Sequence, residues 1–155
     1  MSQHEPRILS RGVVCHQPDR LFGYYGWPTI ARLPDQTLLV GASGPRMDHV
    51  CPFGATALFV SRDDGKAWTP PMIVNNSPMD DRDVGLLSLG GPRVMLSWFT
   101  LDAKYYAKFR EGLQKRLPPY AFALCEAMAS QYTDALNAKE AGSFARISED
   151  GGVTW

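Results

Sequence analysis

This 155-residue sequence predicts an all-β fold, an incomplete β-propeller of about two four-stranded blades. Three observations lead there. The pattern S-x-D-x-G-x-x-W occurs twice, at Ser61–Trp68 and at Ser148–Trp155. Each copy follows a short apolar run, Thr56–Val60 and Ser143–Ile147. Glycine (14) and proline (12) are frequent enough to supply the many tight connections that short strands need. An internal repeat at this scale belongs to solenoids and propellers.

The repeated segment has a legible physics. Its Asp accepts backbone N–H bonds from the residues that follow, which closes a turn. Its Gly supplies a backbone conformation that other residues resist. Its Trp folds back and buries a large apolar face against the hairpin. Strand-like runs surround the first copy in order: Pro28–Leu33, a turn at Pro34–Gln36, Thr37–Ala42, a loop Ser43–Ala55, the run before the repeat, and Met72–Asn75. The cycle restarts after the loop Asn76–Val84, with Gly85–Leu89, a turn at Gly90–Pro92, and Arg93–Phe99. Four short antiparallel strands make one blade.

Residues 102–140 break this rhythm and read as a helical hairpin inserted in a loop of the second blade. Tyr105–Leu117 and Tyr120–Asn137 lack strand alternation, and Pro118-Pro119 separates them. Ala121, Leu124, Cys125, Met128, Tyr132 and Leu136 recur at helical spacing. Taking the insert out brings Ser61 and Ser148 to about one propeller repeat apart, near 40–50 residues. The last residue of the second repeat is Trp155, so the sequence reads as the N-terminal part of a partial propeller spanning 1–155.

Composition narrows the function classes. Lys+Arg and Asp+Glu are both 16, so the formal net charge is zero, which argues against nucleic acid or an anionic membrane surface as partner. No apolar run reaches the roughly 18–20 residues of a membrane helix. The opening MSQHEPRILSRG has no apolar signal core, which points to a cytoplasmic protein. Three cysteines without paired spacing argue against a disulfide framework. Cys15-His16 with His49-x-Cys51 is not a zinc signature, and no metal or other cofactor is expected.

The paired turns resemble the Asp boxes of sialidases (neuraminidases) and related Asp-box, or BNR, repeat proteins, over residues 23–100 and 142–155. The resemblance implies an exo-acting glycoside hydrolase on a terminal acidic sugar, hence a glycan or oligosaccharide partner. It leaves open a non-catalytic glycan- or protein-binding module, or a polysaccharide lyase with His49 or a tyrosine as base. Ser43–His49 lies where sialidases carry an arginine and the acid/base aspartate. Trp27 stands where they place one of three carboxylate-gripping arginines. The nucleophile and the other arginines would lie outside this sequence, so the isolated chain is expected to be inactive.

Alternation of strand direction sorts the loops onto two ends. The Asp boxes share one end with Pro34–Gln36 and Gly90–Pro92. The other end collects Pro18–Gly26, Ser43–Ala55, Asn76–Val84 and the helical insert, and long loops are where sites concentrate. There Asp48 is the candidate general acid/base, or else a turn-capping residue. Arg46 can hold an anionic or hydroxyl-rich sugar with its guanidinium fork, or form an ion pair. His49 can hold a sugar hydroxyl, or simply order its loop. Asp81, Arg82 and Asp83, with Asp80 before them, form either a substrate-binding network or a self-satisfied one. Tyr25, with Tyr24 and Trp27, can stack on a sugar ring or pack in the core.

Overall fold

The computed structural model describes residue 8 and residues 10–155. Seven strands form two antiparallel sheets. The first is a four-stranded meander of β1 (Tyr24–Arg32), β2 (Leu38–Arg46), β3 (Thr56–Ser61) and β4 (Met72–Asn75). The second has three strands, β5 (Asp81–Gly90), β6 (Arg93–Thr100) and β7 (Gly142–Ser148). The β5–β6 turn needs backbone that glycine supplies, with φ of 93° at Gly90 and 55° at Gly91.

The sheets pack on each other through apolar residues that alternate along their strands. Leu39, Leu58 and Val74 of the first meet Val84, Val94, Leu96 and Trp98 of the second. The approach is close: a Cβ at Gly41 would stand 2.6 Å from Cγ1 of Val84. The opposite face of the first sheet presents Val40, Ala42, Ala57 and Phe59, covered by Val14, Cys15, Tyr25 and Trp68.

Three helices lie between β6 and β7: α1 (Ala103–Arg116), α2 (Pro119–Ala129) and α3 (Asp134–Glu140). Asp102 caps α1 by accepting the Lys104 N–H at 2.8 Å. Pro119 opens α2 where its missing N–H costs nothing. The single helix expected over Tyr120–Asn137 is broken near Gln131–Thr133. Thr133 starts a new helix there by accepting the Leu136 N–H at 3.1 Å. Tyr106, Leu113 and Cys125 bury themselves with Val50 of the loop after β2, so the helices form a packed layer with a core of its own.

The all-β, incomplete-propeller expectation is therefore corrected. The chain is a mixed α/β structure of two antiparallel sheets and three helices. Among the described residues the sheets close into neither barrel nor propeller. The physical reason is that the helices are joined to the sheet-end loop by a shared apolar core, which a loop insertion read from periodicity alone does not reveal.

Both repeat turns are carboxylate-closed. Asp63 accepts from Ser61 Oγ at 2.8 Å and from the Ala67 N–H at 2.9 Å, while Gly65 sits at φ 84°. Asp150 accepts from Ser148 Oγ at 2.7 Å, from the N–H groups of Val153 and Thr154, and from Thr154 Oγ1 at 2.6 Å. These donors hold the Asp150 carboxyl down at about 2. Register places the turns at one end of the sheets: Ser61 is level with Leu38, and Ser148 with Val94. Arg46 and Arg82 lie at the other end, paired with Tyr24 and Phe99.

Candidate functional site

At that other end, the last residue of β2 and the first residues of β5 converge on one buried carboxylate. Arg46 is wholly buried, and Arg82 and Asp80 are 6% and 4% exposed. Asp80 accepts from Arg46 Nη2 and, at 3.1 Å, from the Cys51 N–H; Arg82 Nη1 stands 3.6 Å from it. Arg46 also donates to the carbonyls of Asp48 (3.2 Å) and His49 (3.1 Å), which ties down the loop after β2. Gly54 makes room for this pairing, since a Cβ there would lie 2.2 Å from Asp80 Oδ1.

Two guanidinium groups thus share one carboxylate. Each keeps a buried donor with no partner, Arg46 Nη1 and Arg82 Nε. Burial pushes the Asp80 carboxyl up to about 6 against the pull of both arginines. Burial, with Arg46 alongside, pushes Arg82 down. The two shifts agree: removal from water disfavours both charges more than their pairing favours them.

Trp27 covers the pair. Its ring centroid is 4.5 Å from Cζ of Arg82 and 5.2 Å from Cζ of Arg46. It holds this place from a left-handed backbone, φ 49°, at the irregularity between Gly26 and Thr29. For a bulky residue that conformation costs about 1–3 kcal/mol. His49 lies against the indole at 4.9 Å between centroids, and Phe109 of α1 meets His49 at 6.3 Å. Burial and the nearby Arg82 and Arg46 lower the His49 pKa, so its ring is neutral at neutral pH.

Asp48 is held from the helical layer. Its Oδ2 accepts from Arg116 Nε at 2.8 Å, and its Oδ1 accepts from Arg116 Nη2 at 3.1 Å and from the His49 N–H at 2.5 Å. The remaining predicted residues separate. Asp81 is fully buried and faces away from the arginines. It accepts from Asn75 Nδ2 (2.8 Å), Thr100 Oγ1 (2.6 Å), Ser77 Oγ (2.9 Å) and the Ser77 N–H (2.7 Å). It is a self-satisfied staple between the ends of three strands. Asp83 is exposed, at φ 51°, and donates its N–H to Ser43 Oγ at 2.7 Å. Tyr25 packs its ring on Phe59 at 5.5 Å, on the far face of the first sheet, and so leaves the arginine cluster. Its neighbour Tyr24 meets Trp27 instead, at 6.2 Å.

Of the residues that make the site, the sequence names Asp80 and Trp27 only in passing and Arg116 not at all. Asp80 and Trp27 stand beside chosen residues, and no local signal sorts them. Arg116 is 68 residues from Asp48 and reaches it only through helix packing. The open cavities lie off the arginine cluster. One of about 260 Å³ adjoins the Asp81 network, between Asn75, Thr100 and Arg146. One of about 530 Å³ lies beside Arg20, Phe22 and Tyr25. Among the described residues no group of three His, Cys, Asp or Glu side chains is placed to hold a metal. Among them, too, no helix is long and apolar enough to cross a membrane.

No family model and no curated protein matches the chain. Among solved structures it is similar to a crystal structure of a protein of unknown function from Dyadobacter fermentans. The TM-score is 0.56 at 19% identity, over 92% of this chain and 37% of that one. At that identity the likeness concerns the fold alone. The chain spans little more than a third of the structure it matches.

Proposed function

We propose that the chain binds the carboxylate of a terminal acidic sugar, as the anion-gripping part of a sialidase-type glycoside hydrolase. One observation carries this reading: two buried guanidinium groups share a single carboxylate, and each retains an unpartnered N–H. A buried cluster with one positive charge in excess is completed by an anion, and a carboxylate matches the guanidinium fork. In the hydrolase reading Asp48 is the acid/base, beside this grip, and protonates the leaving oxygen.

Calorimetric titration with N-acetylneuraminic acid and with its methyl ester tests the grip. A lost charge-assisted hydrogen bond weakens binding by about tenfold or more. The free acid should therefore bind at least about tenfold tighter than the ester, and Arg82→Gln should remove that preference. Equal affinity of acid and ester overturns the reading.

A second reading, a non-catalytic module for acidic glycans, is favoured by the two hydrogen bonds that Arg116 makes to Asp48. Release of fluorophore from a sialoside, lost in Asp48→Ala with binding retained, decides for the hydrolase. Binding without turnover decides for the module.

A further inference from the structure

We infer that Trp27 is a movable cover whose indole occupies the ligand's place over Arg46 and Arg82, so that an anion enters only as Trp27 swings away. The inference rests on the anion-binding reading above and adds the residue that controls access and selectivity. Arg46 is wholly buried and Arg82 nearly so, so neither is open to a ligand while the indole is seated. The indole face is the negative part of the ring quadrupole, and it lies over both cations at 4.5 and 5.2 Å. It gives them attraction without filling the hydrogen-bond capacity of Arg46 Nη1 and Arg82 Nε. A carboxylate offers both attraction and acceptors, and is the better partner of the two.

The backbone supports motion at this point. Trp27 sits in the left-handed region at an interruption of the β1–β2 pairing, next to Gly26. Leaving that conformation releases strain instead of adding it. The aromatic rings that meet it, His49 and Tyr24, are both exposed. A neutral sugar has no charge to exchange for the indole, so the cover also selects for anions.

The test compares the parent chain with Trp27→Ala and Trp27→Phe. Removing the cover removes the competition, so Trp27→Ala should bind N-acetylneuraminic acid about tenfold tighter. Trp27→Phe, with a weaker cation–π face, should fall between. In the parent, the Trp27 indole N–H resonance, assigned by its loss in Trp27→Phe, should shift on saturation with the acid and not with the methyl ester. If Trp27→Ala does not fold, Trp27→Phe and the indole resonance decide. Parent binding with unchanged or weaker binding by the variants, and a silent Trp27 resonance, overturns the cover while leaving the anion site standing. Failure of the parent and of both folded variants to distinguish acid from ester overturns the anion site itself.

Discussion

Asp80→Asn is the most informative perturbation. At pH 7 it leaves Arg46 and Arg82 buried with no counter-charge. Removing one partner of a buried pair costs about 3–5 kcal/mol. Against that stands the cost of burying the Asp80 carboxylate, which outweighs its pairing: its pKa is raised from 3.8 to about 6, and asparagine gives up both together. That raised value fixes a sign. The folded chain holds the Asp80 proton more tightly than the unfolded chain does. Between the two pKa values the folded state therefore binds more protons, and stability contributed by Asp80 rises as pH falls from about 6 toward 3.8. Going from pH 7 to pH 5, the gain is about 1 kcal/mol. Asparagine cannot titrate, so it forgoes this gain.

Urea unfolding at pH 7 and pH 5, followed by tryptophan fluorescence, measures both terms. Other groups titrate in the same window. His49, whose folded pKa is lowered, loses stability as pH falls below its ordinary value of 6.5. Comparing parent with variant at each pH cancels most of that common background. The expected result is a small difference at pH 7, with the parent gaining about 1 kcal/mol on the variant by pH 5. A parent that gains nothing on the variant on acidification, or loses ground to it, refutes the account of one carboxylate balancing two arginines.

Further outcomes follow from the same geometry. Gly54→Ala drives a methyl group onto Asp80, so it should cost stability and remove any preference for acid over ester, read by melting and by titration. Arg116→Ala breaks a pair whose arginine is half exposed; unfolding free energy should change by less than about 1 kcal/mol. Leu113→Ala opens a cavity in the helical core and should cost about 2–5 kcal/mol by urea unfolding. Asp150→Asn removes a carboxyl whose folded pKa is lowered. The parent's advantage over it should be present above pH 4 and fade as pH falls toward 2 in acid unfolding.

What was legible in the sequence is what depends on local chemistry. The repeat turns close through Asp63 and Asp150 because Ser, Asp, Gly and Trp each have a defined task within eight positions. Strand alternation carried the order of the meander, and hence the placing of Arg46 and Arg82 at the end opposite those turns. Helical spacing located the helices, yet it ran through Thr133, whose side chain caps the start of a separate helix. Asp80–Asp83 shows the limit most clearly. Four consecutive charged residues look alike in sequence. In the fold Asp80 balances arginines, Asp81 staples three strands, Arg82 faces Trp27 and Asp83 reaches solvent. Asp80 meets Arg46 from 34 residues away and Asp83 meets Ser43 from 40, and no local pattern records such partners.

The arrangement also ranks the two functional readings by a physical criterion. A general acid must have an oxygen free to deliver its proton to the leaving oxygen, and Arg116 holds both oxygens of Asp48. Asp48 therefore reaches a leaving oxygen only in a state where Arg116 has let go. Arg116 can do so at low cost, because its side chain is 51% exposed and lies at the end of α1, where water can take over its hydrogen bonds. The hydrolase reading thus makes a specific demand: sialoside turnover should be lost in Asp48→Ala while binding of the acid is retained. If turnover exists and survives Asp48→Ala, Asp48 is not the acid, and the cluster of Arg46, Arg82 and Trp27 is a recognition site alone.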